Sequence, residues 1–167
     1  MLMNAKSIIF VLAFTFLFAG CQESVFQSLK KTDDLFVYEG LPHPLRENPS
    51  FKKEKNRNDV MQIEDHWFYD AKVKATGNIR NQLMNLLFDE SGFSSNVNVI
   101  PTDCGPFHPD YAIMWESDEV GNYLMICFTC SEAKLLRDGK NKTYDLNVYK
   151  IEPLKNLLAK FKANRPW

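Results

Sequence analysis

The central part of the chain has a side-chain pattern with a period of two. Two alternating apolar series carry it: Tyr111, Ile113 and Trp115, and then Leu124, Ile126 and Phe128. Between them, residues 117–122 (Ser-Asp-Glu-Val-Gly-Asn) resemble a turn, so the pattern predicts a β-hairpin. Asp138 and Gly139 form a second turn signal, and we expect a meander to continue from residue 132 through 146.

Two segments on either side of this region have the helical period instead. In residues 78–88 the apolar positions fall at i, i+4, i+7 and i+8, which builds one stripe: Ile79, Leu83, Leu86 and Leu87. In residues 153–163 the apolar residues on one side are Leu154, Leu157, Leu158 and Phe161, and Pro153 suits a first helical turn. We therefore predict two helices over these segments.

Shorter elements complete the predicted domain. A brief strand is expected over residues 35–38 and another over 97–100, whereas the charged stretch 52–59 is expected to be an exposed loop. The sum is an α+β domain of two layers, in which two helices pack on one face of an antiparallel sheet.

Composition narrows the class of protein. The chain has 167 residues, of which 45% are apolar and 25% charged, as in ordinary globular domains. Its 20 Lys and Arg residues nearly balance 21 Asp and Glu residues, for a net charge of −1. Nucleic-acid binders normally carry a basic excess, so we expect no nucleic-acid partner.

The N-terminus has the pattern of an export signal. Lys6 precedes an apolar run over residues 7–18, which ends in Ala19, Gly20 and Cys21. A short basic segment, an apolar run and small residues are typical of a secretory signal peptide. The run is too short to span a bilayer, which needs about 20 apolar residues.

The end of this run resembles the lipobox of bacterial lipoproteins. In that family the cysteine, here Cys21, receives a diacylglyceryl group and becomes the new N-terminus, and Phe18 stands where leucine is usual. We expect a signal peptide over residues 1–20, a lipidated N-terminus and tether over 21–34, and the globular domain over 35–167. The mature protein would be exported and held at the cell membrane or outer membrane by its lipid, facing the periplasm or exterior.

Four residues with metal-binding or disulfide chemistry are expected to meet at one end of the hairpin: Cys104, His108, Cys127 and Cys130. If the turn is centred near residue 119, Tyr111 opposes Cys127, and His108 lies beside Cys130. Cys104 precedes this point by one loop. The register therefore gathers three cysteines and a histidine at the open end of the hairpin.

Three interpretations of this group stay open. A zinc site would use all four residues as ligands, provided that the strand ends or bulges near Phe128, because residues three apart in a regular strand point to opposite faces. A structural disulfide would join Cys104 to Cys127 or to Cys130 in an oxidising compartment and leave one thiol over. A thiol-redox motif would use Cys127 and Cys130, although the helix that follows such motifs is not predicted here.

A catalytic interpretation of the same loop would have Asp110 orient the imidazole of His108 as a general base. No serine elbow or phosphate-binding loop accompanies the pair in the sequence. We therefore interpret His108 as a structural histidine, and His43 and His66 in the same way.

Four short motifs carry a further resemblance: Tyr38-Glu39-Gly40-Leu41-Pro42-His43, Phe68-Tyr69, Cys104-Gly105-Pro106-Phe107-His108-Pro109-Asp110 and Cys127-Phe128-Thr129-Cys130. Together they resemble a family of uncharacterised bacterial proteins that are frequently lipoproteins in planctomycete-like genomes and have no established activity. The resemblance spans residues 35–165, with Pro106 and Thr129 where glycines are expected. It implies one intact domain built around the same loop, residues 104–110, which we call the Cys/His loop. The resemblance supplies no mechanism.

Taken together, these patterns favour a lipid-anchored envelope protein that binds or scaffolds an unidentified protein or small molecule over an enzyme. In this hypothesis the Cys/His loop is a structural staple, which means that its side chains hold parts of the fold together and take no part in a reaction. The alternative is a zinc-binding or thiol-redox module, with enzymatic activity at Cys104, His108, Asp110, Cys127 and Cys130.

Overall fold

A seven-stranded antiparallel sheet is the centre of the computed structural model, which describes residues 25–44, 49–95 and 106–165. Nine strands occur in these ranges: β1 (Phe36–Glu39), β2 (Val60–Ile63), β3 (His66–Tyr69), β4 (Val73–Lys74), β5 (Phe93–Ser94), β6 (Tyr111–Ser117), β7 (Val120–Cys127), β8 (Glu132–Arg137) and β9 (Lys140–Leu146). The large sheet has the order β4-β1-β6-β7-β8-β9-β5, and β2 pairs with β3 in a separate two-stranded sheet.

Four α-helices accompany the strands in the described ranges: α1 (Val25–Leu29), α2 (Pro49–Lys55), α3 (Gly77–Phe88) and α4 (Val148–Leu158). A short 3₁₀ helix, Ala159–Phe161, continues α4. The predicted fold class is therefore confirmed: the chain forms an α+β domain with helices packed on an antiparallel sheet. Within the same ranges, no helix is long and apolar enough to cross a bilayer.

The main core lies between one face of the sheet and the helices. Alternate residues of β6 and β7, including Ile113 and Leu124, meet buried leucines of α3 and α4, such as Leu83 and Leu158. The indole Nε1 of Trp115 is fully buried and donates a hydrogen bond to Ser28 Oγ at 3.1 Å. The alternating apolar residues of β6 and β7 thus pack into the same core as the apolar stripe of α3.

The opposite face of the sheet is covered by the β2–β3 hairpin. Ala112, Met114 and Met125 are buried there against Phe68 and Ile63. Because β6 is buried on both faces along Tyr111–Trp115, the domain has a third layer at this point. The two predicted layers are present, and the hairpin adds to them.

The β6–β7 hairpin has a turn of two residues, Asp118 and Glu119. Both residues have positive φ, 53° and 63°, which is the conformation of the tight turns that join twisted strands. Tyr111 consequently pairs with Ile126, one position before the expected partner Cys127. The second predicted turn is confirmed, since Asp138 and Gly139 separate β8 from β9.

Helix α4 begins at Val148 and not at Pro153 as predicted. The reason is the side chain of Lys150, which is 1% exposed and donates hydrogen bonds to the carbonyl oxygens of Leu86 and Asp89 at the end of α3. These contacts fix the first turn of α4 in place. Pro153 then lies inside the helix on an exposed position, where water can satisfy the carbonyl that a proline leaves unbonded.

Two segments predicted as irregular also differ from expectation. The loop expected over residues 52–59 contains most of α2, because Glu54 is buried there and accepts a hydrogen bond from Tyr69 Oη at 2.9 Å. The tether expected over residues 21–34 is part of the fold from Val25 onwards, since Phe26 and Leu29 of α1 are buried in the main core. The strand expected over residues 97–100 lies outside the described residues.

Candidate functional site

The site predicted from the cysteine and histidine spacing lies at the open end of the β6–β7 hairpin. Strand β7 ends at Cys127, and residues 128–131 form a tight turn into β8. This turn meets the condition for bringing Cys127 and Cys130 together: the backbone N–H of Cys130 donates to Cys127 Sγ at 3.3 Å. Both cysteines are buried in one cluster, against which Phe107 packs.

Cys127 carries a free thiol that is completely buried. Burial raises the pKa of this thiol, and the backbone N–H groups of Cys130 and His108 only partly oppose the shift. The group therefore stays protonated at neutral pH. Because the thiolate is the nucleophile and the metal ligand, this environment is typical of an inert structural cysteine.

Cys130 is buried and disulfide-bonded. A sulfur in a disulfide is not available as a thiolate ligand, which removes one of the four ligands of the predicted zinc site. Cys104, the other predicted partner in this group, lies outside the described residues, as does Cys21. Among the residues that the structure does describe, no group of three or more His, Cys, Asp or Glu side chains could hold a metal ion.

His108 is 8% exposed and packed between aromatic rings. Its ring centroid lies 4.7 Å from that of His43 and 6.0 Å from that of Phe51. Neither ring nitrogen has a hydrogen-bond partner within the described ranges. Burial, followed by the neighbouring His43 and Arg165, lowers the pKa of His108 to about 4, so the imidazole is neutral at physiological pH.

Asp110 does not orient this imidazole. Its Oδ2 accepts a hydrogen bond from the backbone N–H of Phe128 at 2.9 Å, and its Oδ1 forms a salt bridge with Arg165 at 2.9 Å. The carboxylate thus joins the start of β6 to the β7–β8 turn and to the C-terminal segment. The acid–base pair that the sequence suggested is not formed, and Asp110 has a structural role.

The structure adds a group that the sequence did not predict, and we call it the C-terminal clasp: Glu39 and Asp110 with residues 163–165. Glu39 is 3% exposed, and its carboxylate accepts the backbone N–H groups of Ala163, Asn164 and Arg165 at 3.0, 2.7 and 3.2 Å. The guanidinium of Arg165 donates to the carbonyl oxygens of Gly40 and Leu41. The one local signal was a glutamate within an otherwise apolar strand.

Gly40 allows β1 and the 106–110 segment to approach each other closely. Its N–H donates to the carbonyl oxygen of Asp110 at 2.8 Å, and a Cβ atom at this position would lie 2.1 Å from the carbonyl oxygen of Pro109. Only a residue without a side chain allows β1 to lie this close to the 106–110 segment. The Cys/His loop is thereby held against the sheet by backbone contacts.

His66 and Phe107 form the outer part of the cluster. Their ring centroids are 5.2 Å apart, and Lys134 Nζ lies 4.3 Å from the centroid of Phe107. Burial lowers the pKa of His66, and the charge of Lys134 acts in the same direction. The surroundings of His43, His66 and His108 therefore all favour the neutral ring.

The chain matches no family model, no curated protein and no solved structure.

Proposed function

We propose that this protein is an exported lipoprotein, anchored in the bacterial envelope through lipid on Cys21, whose α+β domain binds or scaffolds a partner at the membrane. In this proposal the Cys/His loop is a structural staple and not a reaction centre. The anchoring rests on the sequence, where a short basic segment, an apolar run and two small residues precede Cys21.

The observation that carries the structural role is the state of the two cysteines at the β7–β8 turn. Cys127 is free and fully buried with a raised thiol pKa, whereas Cys130 is disulfide-bonded. A redox-active pair would need a reactive thiolate, and Cys127 lacks the lowered pKa that produces one. We infer that Cys130 pairs with Cys104, which would tie the 106–110 segment to the turn.

The polar groups around this pair support the same proposal. Asp110 is used for the backbone of Phe128 and for Arg165, and His108 is buried without a hydrogen bond to either ring nitrogen in the described part of the chain. General acid–base chemistry needs a group within hydrogen-bond reach of a reacting atom. This loop has the properties of a packed support.

Thiol counting and metal analysis test this proposal together. In the mature protein, unfolded without reductant, we expect one reactive thiol, from Cys127, and no stoichiometric metal. The Cys104→Ser variant should show two reactive thiols, because it releases Cys130. As a matched control, Cys127→Ser should show none.

Two outcomes would contradict this proposal, the first in the structural role of the loop and the second in the pairing of Cys130 with Cys104. Stoichiometric zinc together with three reactive thiols after unfolding would support the alternative, a zinc-binding module. Two reactive thiols in Cys127→Ser and none in Cys130→Ser would mean that the other predicted pairing, Cys104 with Cys127, is the correct one.

A further inference from the structure

A surface cavity of about 530 Å³ lies between the end of α1 and α3. Six residues line it: Lys30, Arg80, Asn81, Met84, Asn85 and Phe88. Lys30 follows the last residue of α1, and the other five belong to α3. The cavity is thus built by the first described helix of the chain and the helix on which it packs.

The lining of the cavity combines positive charge with apolar surface. Lys30 and Arg80 supply two cations, and no carboxylate is among the lining residues. Lys30 Nζ lies 5.3 Å from the ring centroid of Phe88, and Arg80 Nη2 donates to the carbonyl oxygen of Thr32 at 2.6 Å. The guanidinium is therefore held in position at the cavity wall.

This chemistry matches a phosphate group that carries an apolar body. Lys and Arg donate charge-assisted hydrogen bonds to phosphate oxygens, and Arg is pre-organised for doing so. Phe88 offers apolar contact beside the two cations, whereas Met84 is 6% exposed and packs mainly into the core. An acidic peptide would use the cations, but it would gain little from this apolar wall.

The cavity is close in sequence to the proposed anchor. Cys21 precedes Val25, the first residue of α1, by four positions. At roughly 3.3–3.6 Å per residue, that segment spans at most about 14 Å. Helix α1 adds about 8 Å as far as Lys30 at 1.5 Å per residue. The cavity is thus within about 22 Å of the lipidated residue, close enough for the membrane surface itself to supply the ligand.

We propose that this cavity binds the headgroup of an anionic phospholipid in the membrane that holds Cys21. The domain then lies on the bilayer through α1 and α3 and does not swing freely on its anchor. This inference rests on the proposed lipid anchor at Cys21 and adds a second, non-covalent membrane contact. Lys30 and Arg80 take the phosphate, while Phe88 contacts the glycerol and upper acyl region.

Photocrosslinking of the full, processed protein tests the proposal. A photoreactive residue is introduced as Asn85→p-benzoylphenylalanine, at an exposed position of the cavity wall. The protein is reconstituted in vesicles of phosphatidylcholine alone or of equal parts phosphatidylglycerol and phosphatidylcholine. We expect crosslinks to phospholipid mainly in the anionic vesicles. Lys30→Gln should reduce the yield about fivefold, the contribution of one cation near an anionic surface.

The matched control is Lys140→Gln, which removes the same charge at the exposed β8–β9 turn and should leave the yield unchanged. Equal yields in the two kinds of vesicle, or no effect of Lys30→Gln, would overturn the proposal.

A competition experiment compares inorganic phosphate with sodium chloride at equal ionic strength. Loss of crosslinking in phosphate but not in sodium chloride would support the proposal, because free phosphate would then compete with the lipid phosphate for Lys30 and Arg80.

Labelled palmitate is followed in the same preparations, so that the two proposals fail separately. If palmitate enters the protein but the crosslinking yield does not depend on lipid charge, the lipid anchor is supported and the proposed headgroup site is wrong. If palmitate does not enter the wild type, the proposed function itself is wrong, and the membrane contact inferred from it falls as well.

Discussion

His108→Leu is expected to remove a large part of the acid sensitivity of this domain. In the folded protein burial lowers the pKa of His108 from 6.5 to about 4. Between these values the unfolded chain binds a proton that the folded chain does not, so stability falls as the pH falls from about 6.5 to about 4. A difference of this size corresponds to about 3 kcal/mol at 1.36 kcal/mol per pKa unit.

Most of the charged and titratable groups around His108 act in the same direction as burial and lower its pKa. His43, Arg165 and His66 disfavour the imidazolium, and Asp110 only partly offsets them. Leucine has a similar volume and no polar atoms, so we expect His108→Leu to stay within about 1 kcal/mol of the wild type at pH 7. Its free energy of unfolding should then change far less on acidification.

Urea unfolding of both proteins between pH 7 and pH 4 measures this difference. His66→Leu is the matched control, because it removes a less deeply buried imidazole from the outer part of the same cluster and should keep most of the pH dependence. Parallel pH profiles for the wild type and His108→Leu would show that folding does not lower the pKa of His108, contrary to the burial that we describe.

Glu39→Gln is expected to destabilise the domain by about 2–4 kcal/mol, because hydrogen bonds to a charged group contribute about 1.5–3 kcal/mol each. The carboxylate oxygens of Glu39 accept three backbone N–H groups from residues 163–165. A glutamine amide has one acceptor oxygen, so its NH₂ group would face at least one of these donors. The loss should also loosen Arg165, which bonds Asp110 and Gly40.

The free energy of unfolding from urea titration gives the size of the effect, and amide hydrogen exchange locates it. Exchange should accelerate at Asn164 and Arg165 before it does so in β6. The matched control is Glu116→Gln, an exposed position on β6 that should change stability by less than about 0.5 kcal/mol. A Glu39→Gln variant as stable as this control would mean that the clasp contributes little to the fold.

The elements that the sequence predicted are those whose signals are local. The alternation on both sides of Asp118 and Glu119 specifies a hairpin without reference to the rest of the chain. The stripe that includes Leu83 and Leu87 likewise specifies α3. In each case neighbouring residues carry the apolar pattern and the turn or stop signal at once.

The elements that differ from prediction depend on distant partners. Helix α4 starts early because Lys150 reaches carbonyl groups at the end of α3, some 60 residues earlier (61 and 64 positions). Helix α2 forms in a charged stretch because Glu54 is buried against Tyr69, 15 positions away. No periodicity in the local sequence reports such contacts, so propensity alone was an insufficient guide.

The candidate site also has one part that the local sequence predicts and another that depends on distant residues. Pairing of β6 with β7 was enough to predict that His108, Cys127 and Cys130 meet, and the small error in register did not change that result. The partners of Asp110 were not predictable, because Arg165 is 55 positions away and comes from the C-terminal segment. A still larger separation, 124 to 126 positions, conceals the pairing of Glu39 with residues 163–165.

Incorporation of labelled palmitate in a bacterial host that expresses the full chain is the most direct test of the central claim, anchoring at Cys21. We expect label in the wild type and in Cys127→Ser, which changes a buried thiol of the domain. We expect none in Cys21→Ser. Label that persists in Cys21→Ser, or a wild type that is exported without label, would contradict the account.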